Sequence, residues 1–288
     1  MSTMIALFLV FAALVGCVGE SGVQVKNAPP PAALTFVAET EKYEETVRDE
    51  DGAALAVCSY ELPVLRVLQE DGTPLETAGT EEQARALAIA GTFNARFDQW
   101  KTNPGTVAES AREDRAFRNE SGLEPVAYTD DLRCTVYQTE AMISVSGGYS
   151  TYTGGAHPNS ILMSWNFDLE AGEFFEPELL DENGELREYV HKILLGKVHE
   201  MAAEKGASAV EVYWEDYADI LADWSSYAVS FDQDGMTVGF SPYELAAYAA
   251  GPQVFHLTYE QLLPHLGPHG RALLGLEAEP SAAVKKQQ

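Results

Sequence analysis

The middle of this chain reads as consecutive strands with no helical spacing between them, and that order restricts the fold more than any other feature. Leu162-Met163-Ser164-Trp165-Asn166-Phe167-Asp168-Leu169 alternates apolar and polar side chains with a period close to two. Leu132, Cys134 and Val136 alternate in the same way, and Met142-Ile143-Ser144-Val145-Ser146 follows. Such a period places every second side chain on one face of a sheet. Strands and helices do not alternate as a parallel α/β fold requires. The order predicts an α+β fold, an antiparallel sheet with helices packed mainly on one face.

The helical blocks lie on either side. Thr80 followed by Glu81, Glu82 and Gln83 has the form of a helix start. Leu87, Ala90, Phe93, Phe97 and Trp100 then recur at helical spacing, and Asn103-Pro104-Gly105 is expected to break that helix. Thr106-Val107-Ala108-Glu109 is expected to open a second, charged helix through Phe117. A third runs from Glu185 to Lys205 with Leu186, Val190, Leu194 and Val198 on one face, and a shorter acidic helix is expected over Val210 to Leu221. Leu55 to Leu68 reads as strand. Tyr227–Phe231 and Met236–Phe240 flank Asp232-Gln233-Asp234-Gly235, whose Asp-Gly step marks a hairpin turn. Val254 to Tyr259 is a further strand, followed by a short helix at Glu260–Leu263.

The N-terminus fixes the expected compartment. An apolar run from Met4 is too short to span a bilayer and ends in Leu14-Val15-Gly16-Cys17. That tetrapeptide resembles a bacterial lipoprotein signal, in which the cysteine is acylated. It implies lipidation at Cys17 and a cell-envelope protein anchored rather than spanning, facing periplasm or exterior. Met1-Ser2-Thr3 carries no Lys or Arg, which departs from the usual signal and leaves an ordinary signal peptide or a buried strand as alternatives. Val18 is not the Asp that resembles an inner-membrane retention cue, so the outer membrane is favoured where there are two. The expected organisation is a signal peptide over 1–16, a lipidated cysteine and linker over 17–35, a strand–helix–strand region over 36–135, and a second region over 136–270. The last two are expected to form one compact unit, and 271–288 a disordered tail. Cys58 and Cys134 remain, both in strand-like segments; in an oxidising compartment they are expected to form a disulfide, the alternative being two separate buried thiols.

A formal net charge of −27 over 288 residues repels the phosphates of nucleic acid and favours a cationic partner. Hydrolase and metal signatures are lacking. No Gly-x-Ser-x-Gly elbow occurs, and His199-Glu200 has no second histidine at the spacing a zinc helix needs. Asp232-Gln233-Asp234-Gly235 lacks the rest of a calcium loop. No cofactor and no metal is therefore expected. Two stretches stand out instead. Tyr149-Ser150-Thr151-Tyr152-Thr153-Gly154-Gly155-Ala156-His157 makes a sharp connection between strands, with two amphipathic rings and one titratable ring. Ser241-Pro242-Tyr243-Glu244-Leu245-Ala246-Ala247-Tyr248-Ala249-Ala250-Gly251-Pro252 joins the hairpin to the next strand. Each is a binding rim or a packed turn.

Taken together these stretches resemble a domain-of-unknown-function family. It includes the extracytoplasmic region of RsiV, an anti-sigma factor that acts as a lysozyme receptor, and the non-catalytic region before the deacetylase domain of PdaC. The similar elements are Tyr-x-x-Tyr-Thr-Gly-Gly-Ala-His at 149–157, Asn-Phe-Asp-Leu-x-x-Gly at 166–172, and Tyr-Glu-x-Ala-x-Tyr-Ala-Ala-Gly-Pro at 243–252. The resemblance implies helices packed on an antiparallel sheet and a non-catalytic binding or sensor module. Without a sigma-binding segment or deacetylase domain in this sequence, neither of those activities is implied. The expected partners are a cationic protein such as lysozyme, or peptidoglycan fragments, with Tyr149, Tyr152, Gly154, Gly155, His157, Pro242, Tyr243, Glu244 and Tyr248 as binding residues. Two other readings are an envelope glycan hydrolase, with His157 as base and Glu244 or Asp168 as acid, and an assembly lipoprotein.

Overall fold

Two long antiparallel strands, β1 (Thr35–Arg48) and β2 (Ala54–Leu68), begin the structure, a computed structural model in which residues 34–276 are described. β1 is charged along its length because it is a sheet edge. Arg66 of β2 pairs with Glu39 and Glu41 across it, and Lys42 with Glu44. Charges on an edge discourage further strands from adding there. Helices α1 (Glu81–Asp98) and α2 (Asn103–Ser121) follow, joined by the 3-10 turn Gln99–Thr102. Strands β3 (Tyr128–Gln138), β4 (Met142–Tyr152), β5 (Asn159–Asp168) and β6 (Glu173–Phe175) complete a six-stranded sheet in chain order. Among the described strands only β2 and β3 pair in parallel, since the two helices supply the crossover that parallel neighbours need.

Thr80 caps α1 by accepting from the Gln83 N–H, and the buried stripe Ala86, Ile89, Ala90, Phe93 and Phe97 faces the sheet. There it meets Leu132 of β3, Ile143 and Val145 of β4 and Phe167 of β5. The rings of Phe93 and Phe167 meet edge to face at 5.3 Å. Gly122, in the left-handed region, closes α2.

The opposite face of β4 serves a second core. Its Met142 is buried among residues of α3 (Glu185–Glu204) and of a three-stranded sheet. Between them lie the short helices α4 (Ala209–Val212) and α5 (Tyr217–Ala222). The smaller sheet runs β7 (Ala228–Phe231), β8 (Gly235–Phe240), β9 (Gln253–Thr258), all antiparallel. Leu186, Val190, Leu194 and Val198 of α3 pack with Val229, Val238, Phe240 and Phe255. Helices α6 (Tyr259–Leu262) and α7 (Pro268–Leu273) finish the described chain.

Polar side chains join the two sheets. The Val229 N–H donates to Ser164 Oγ at 2.9 Å, and the Val229 carbonyl accepts from Asn166 Nδ2 at 3.0 Å. The Phe231 N–H donates to Ser144 Oγ at 2.8 Å. Ser144 and Asn166 are cross-strand partners and bond each other at 2.8 Å, both almost fully buried. The free edge of β7 thus finds side chains where a neighbouring strand would otherwise stand, and its buried backbone groups are satisfied. The result is the expected α+β arrangement, dominated by antiparallel pairing with helices packed against the sheets.

Four expectations need correction. Cys58 and Cys134 are free and buried, not bridged. Cys58 lies in register with Asp130 of β3, so Cys134 sits four residues further along. Four residues of strand span about 13 Å, well beyond the roughly 7 Å between Cα atoms that a disulfide tolerates. Asn103-Pro104-Gly105 starts α2 rather than ending α1, because proline in the first turn lacks only an N–H that has no intrahelical acceptor there. Val210–Leu221 is broken at Tyr213-Trp214 into α4 and α5; the Trp214 N–H is drawn out to the Leu245 carbonyl. Residues 271–276 are ordered, with Leu273 and Leu274 buried. The signal, the Cys17 lipidation site, the linker up to residue 33 and the tail from residue 277 lie outside the described residues. Among the described residues no helix is long and apolar enough to cross a membrane, and no cluster suits a metal.

Candidate functional site

The β4–β5 connection and the Ser241–Pro252 segment meet in space. The rings of His157 and Tyr248 stack at 3.7 Å with 20° between their planes. Tyr248 Oη donates to the Pro158 carbonyl at 3.0 Å, which pins the two segments together across 90 residues of sequence. Tyr243 leans on Tyr248 at 5.5 Å. Its own backbone is held by Trp214, whose Nε1 donates to the Tyr243 carbonyl at 2.9 Å. Trp214, Tyr243 and His157 are exposed, and Tyr248 is partly so.

Tyr243 is the sole non-glycine residue with positive φ among the described residues, at 74°. A side chain in the left-handed region costs about 1–2 kcal/mol. The surrounding segment enforces it: the Tyr243 N–H donates to the Ala246 carbonyl, and the Glu244 N–H to the Ser241 carbonyl. Glu244 reaches back to accept from the Ser241 N–H at 2.5 Å. Ser241 Oγ in turn accepts from the Leu162 N–H of β5. A 55% exposed tyrosine is therefore displayed from a rigid, strained turn, and such outliers concentrate at functional sites.

Gly154 is required twice. Its φ is +86°, and a Cβ there would lie 2.6 Å from the Arg118 guanidinium. Arg118 is itself paired with Asp114 at 2.5 Å, so α2 supports the turn from beneath. Gly155 has no comparable constraint. Tyr152 ends β4 half-buried, and Pro242 lies half-buried before Tyr243.

Tyr149 lies elsewhere. It points to the helical face, where its ring meets Trp100 edge to face at 5.0 Å and its hydroxyl donates to Asp130. Tyr60 donates to the other oxygen of the same carboxylate. Asp130 is 1% exposed, so these two phenols replace its hydration. Burial, and then the bond to Asp130, raises the pKa of both tyrosines well above the ordinary value. Tyr149 therefore lies on the helical face, apart from the rim on which it was expected.

Of the carboxylates offered as acids, Asp168 is remote from His157. Asp168 closes the far end of β5, accepting from the Glu170 and Ala171 N–H groups at 2.7 and 2.9 Å. The length of β5 separates it from the His157 turn by about 30 Å, at roughly 3.3 Å per residue. Glu244 is engaged by its own turn. What converges is an aromatic surface of His157, Tyr243, Tyr248 and Trp214. Sequence reasoning passed over Trp214; the signal available was a tryptophan in the acidic run Glu211–Asp216, where nothing polar explains an apolar ring.

Comparison with known proteins gives a family-model match over part of the chain and a shared fold. A family model described as a protein of unknown function (DUF3298) matches residues 175–260. A crystal structure of a DUF3298 family member from Bacteroides fragilis is 18% identical, with a TM-score of 0.57, covering 86% of this chain and 99% of that one. Another, from Pseudomonas aeruginosa, is 12% identical with a TM-score of 0.39, covering 82% of this chain and 95% of that one. No curated protein matches this chain. The DUF3298 match thus runs from the end of β6 to the start of α6, and the fold is shared with the Bacteroides fragilis protein.

Proposed function

We propose that this chain is a non-catalytic binding module of the bacterial cell envelope, anchored by lipid at Cys17, whose aromatic surface recognises a cationic protein such as lysozyme. The observation that carries this reading is Tyr243: an exposed ring, held at positive φ, stacked toward Tyr248 and His157 from a second segment. Rigid aromatic rings supply contact area at small entropic cost and dominate binding hot spots. A net charge of −27 favours encounter with a basic protein and opposes nucleic acid. The resemblance to the RsiV extracytoplasmic region agrees with this choice. A glycan hydrolase is disfavoured by the distance between His157 and Asp168 and by the engagement of Glu244 within its own turn.

The test is calorimetric titration of the full-length protein with hen lysozyme and, separately, with muropeptides. Lysozyme should bind, more weakly as salt rises, and Tyr243→Ala or Tyr248→Ala should weaken it by at least about tenfold each. Absence of lysozyme binding at low salt would refute the reading. Muropeptide binding lost in the same two variants would transfer the surface to a glycan ligand.

A further inference from the structure

A concave site lies beside β3–β5, lined by residues other than those of the aromatic surface. Between the outer face of β3–β5 and the outer face of β7–β9 runs a groove of about 600 Å³, within the range of small-ligand sites. Its lining includes the hydroxyls of Thr135, Ser146, Ser230 and Thr237, with the only basic side chain supplied by Arg133. Thr135 and Ser146 are cross-strand partners whose hydroxyls lie 2.7 Å apart. Asp232 also lines the groove; one of its carboxylate oxygens, Oδ1, accepts from the N–H groups of Asp234 and Gly235 in the hairpin turn. Among the described residues Arg133 makes no salt bridge, although Glu61 is its register partner on β2 and Asp131 stands two residues before it on the same strand.

Gly148 supplies the second, independent observation. It sits directly opposite Arg133 in the β3–β4 register. Its φ is not positive, and a Cβ would meet nothing within 4 Å. Neither backbone geometry nor internal packing calls for glycine there, and glycine inside a strand weakens it unless something approaches closely. Gly147 beside it is different, because a Cβ there would press on Trp165 at 2.9 Å. At Gly239, across the groove, a Cβ would lie 2.8 Å from Leu162 Cδ1, so the glycine lets the walls approach closely. The space over Gly148, beside a guanidinium without a salt bridge, is left open on the groove side.

We propose that this groove binds a small hydroxyl-rich sugar carrying a single carboxylate. Arg133 would take the carboxylate, for which the guanidinium fork is suited. The serine and threonine hydroxyls would exchange hydrogen bonds with the sugar hydroxyls, and the bare backbone at Gly148 would let the ring lie against β4. A polyanion is excluded by the acidity of the rest of the chain. The groove shares no lining residue with the aromatic surface of His157, Trp214, Tyr243 and Tyr248.

The full-length protein should be titrated by calorimetry with N-acetylmuramic acid and with N-acetylglucosamine, which lacks the lactyl carboxylate. The acid should bind roughly tenfold or more tightly than the neutral sugar, the scale of one charged hydrogen-bonding contact. Arg133→Gln should erase that difference, and Arg133→Lys should restore part of it. Gly148→Leu should weaken both sugars. Lysozyme titrations of the same variants should be unchanged, which separates failure of this site from failure of the aromatic surface and reports that the variants are folded. Equal affinity for the two sugars, no binding of either, or indifference to both Arg133→Gln and Gly148→Leu would overturn the proposal.

Discussion

Replacing Tyr149 by Phe removes one oxygen atom and tests how the buried carboxylate of Asp130 is accommodated. In the native protein that carboxylate is 1% exposed and takes one phenol on each oxygen, Tyr60 on Oδ2 and Tyr149 on Oδ1. Phenylalanine keeps the ring against Trp100, so the apolar contact survives. What is lost is a hydrogen bond to a carboxylate that is almost fully buried. Such bonds contribute about 1.5–3 kcal/mol, so Tyr149→Phe should destabilise by about that amount. Tyr60→Phe should cost a comparable amount. The double variant should depart from the sum of the two, since both hydroxyls act on one carboxylate. Urea denaturation at neutral pH, followed by tryptophan fluorescence and circular dichroism, measures all three. A loss below about 0.5 kcal/mol for Tyr149→Phe would refute the argument, since that is the scale of a surface change touching no such feature.

Three further outcomes follow from buried groups. Cys58 and Cys134 should resist a bulky thiol reagent in the native protein and become labelled only on unfolding, with peptide mapping to separate them from Cys17; native resistance that persists in denaturant without reductant would restore the disulfide. Stability should fall as pH rises above about 9: burial holds Tyr60, Tyr149 and Cys58 above their ordinary values and pushes Cys134 up to about 12, so the unfolded chain releases these protons first, and the contribution is intact below about pH 8.5. Thermal melts across pH 7 to 11 would show it, and a flat profile would count against it. Gly235→Ala should abolish folding or cost at least about 3 kcal/mol, because its Cβ would fall 2.0 Å from the Leu257 carbonyl oxygen, a fixed part of the β8–β9 ladder; a soluble variant with an unchanged melt would disprove that contact.

The sequence made the strands of the larger sheet readable wherever one face was apolar and the other polar, as in Leu162–Leu169. β1 was not readable in the same way. Thr-Glu-Lys-Tyr-Glu-Glu has polar residues on both faces, because an edge strand needs charge more than burial. The start of α2 was misread because Pro104 stops a helix in its interior and favours one in its first turn, and spacing alone does not say which applies. At the site, the stacking of His157 on Tyr248 joins residues 91 positions apart, a distance that no local pattern encodes. Tyr149 and Tyr152 look alike in sequence, yet strand parity sends them to opposite faces. Only the presence of Asp130 on the neighbouring strand decides that Tyr149 goes inward. The disulfide failed for a related reason, since two cysteines in adjacent strands can be kept apart by register.

The way β7 is held also sets what can be cut from this protein. Ser144, Ser164 and Asn166 all precede the matched stretch 175–260, so that stretch, excised alone, keeps a hairpin whose outer rim has lost every donor and acceptor that quenched it. A fragment with such a bare rim is a template for its own copies. Boundaries drawn by sequence likeness and boundaries of autonomous folding therefore diverge in this chain, and a usable fragment would have to begin upstream of β4.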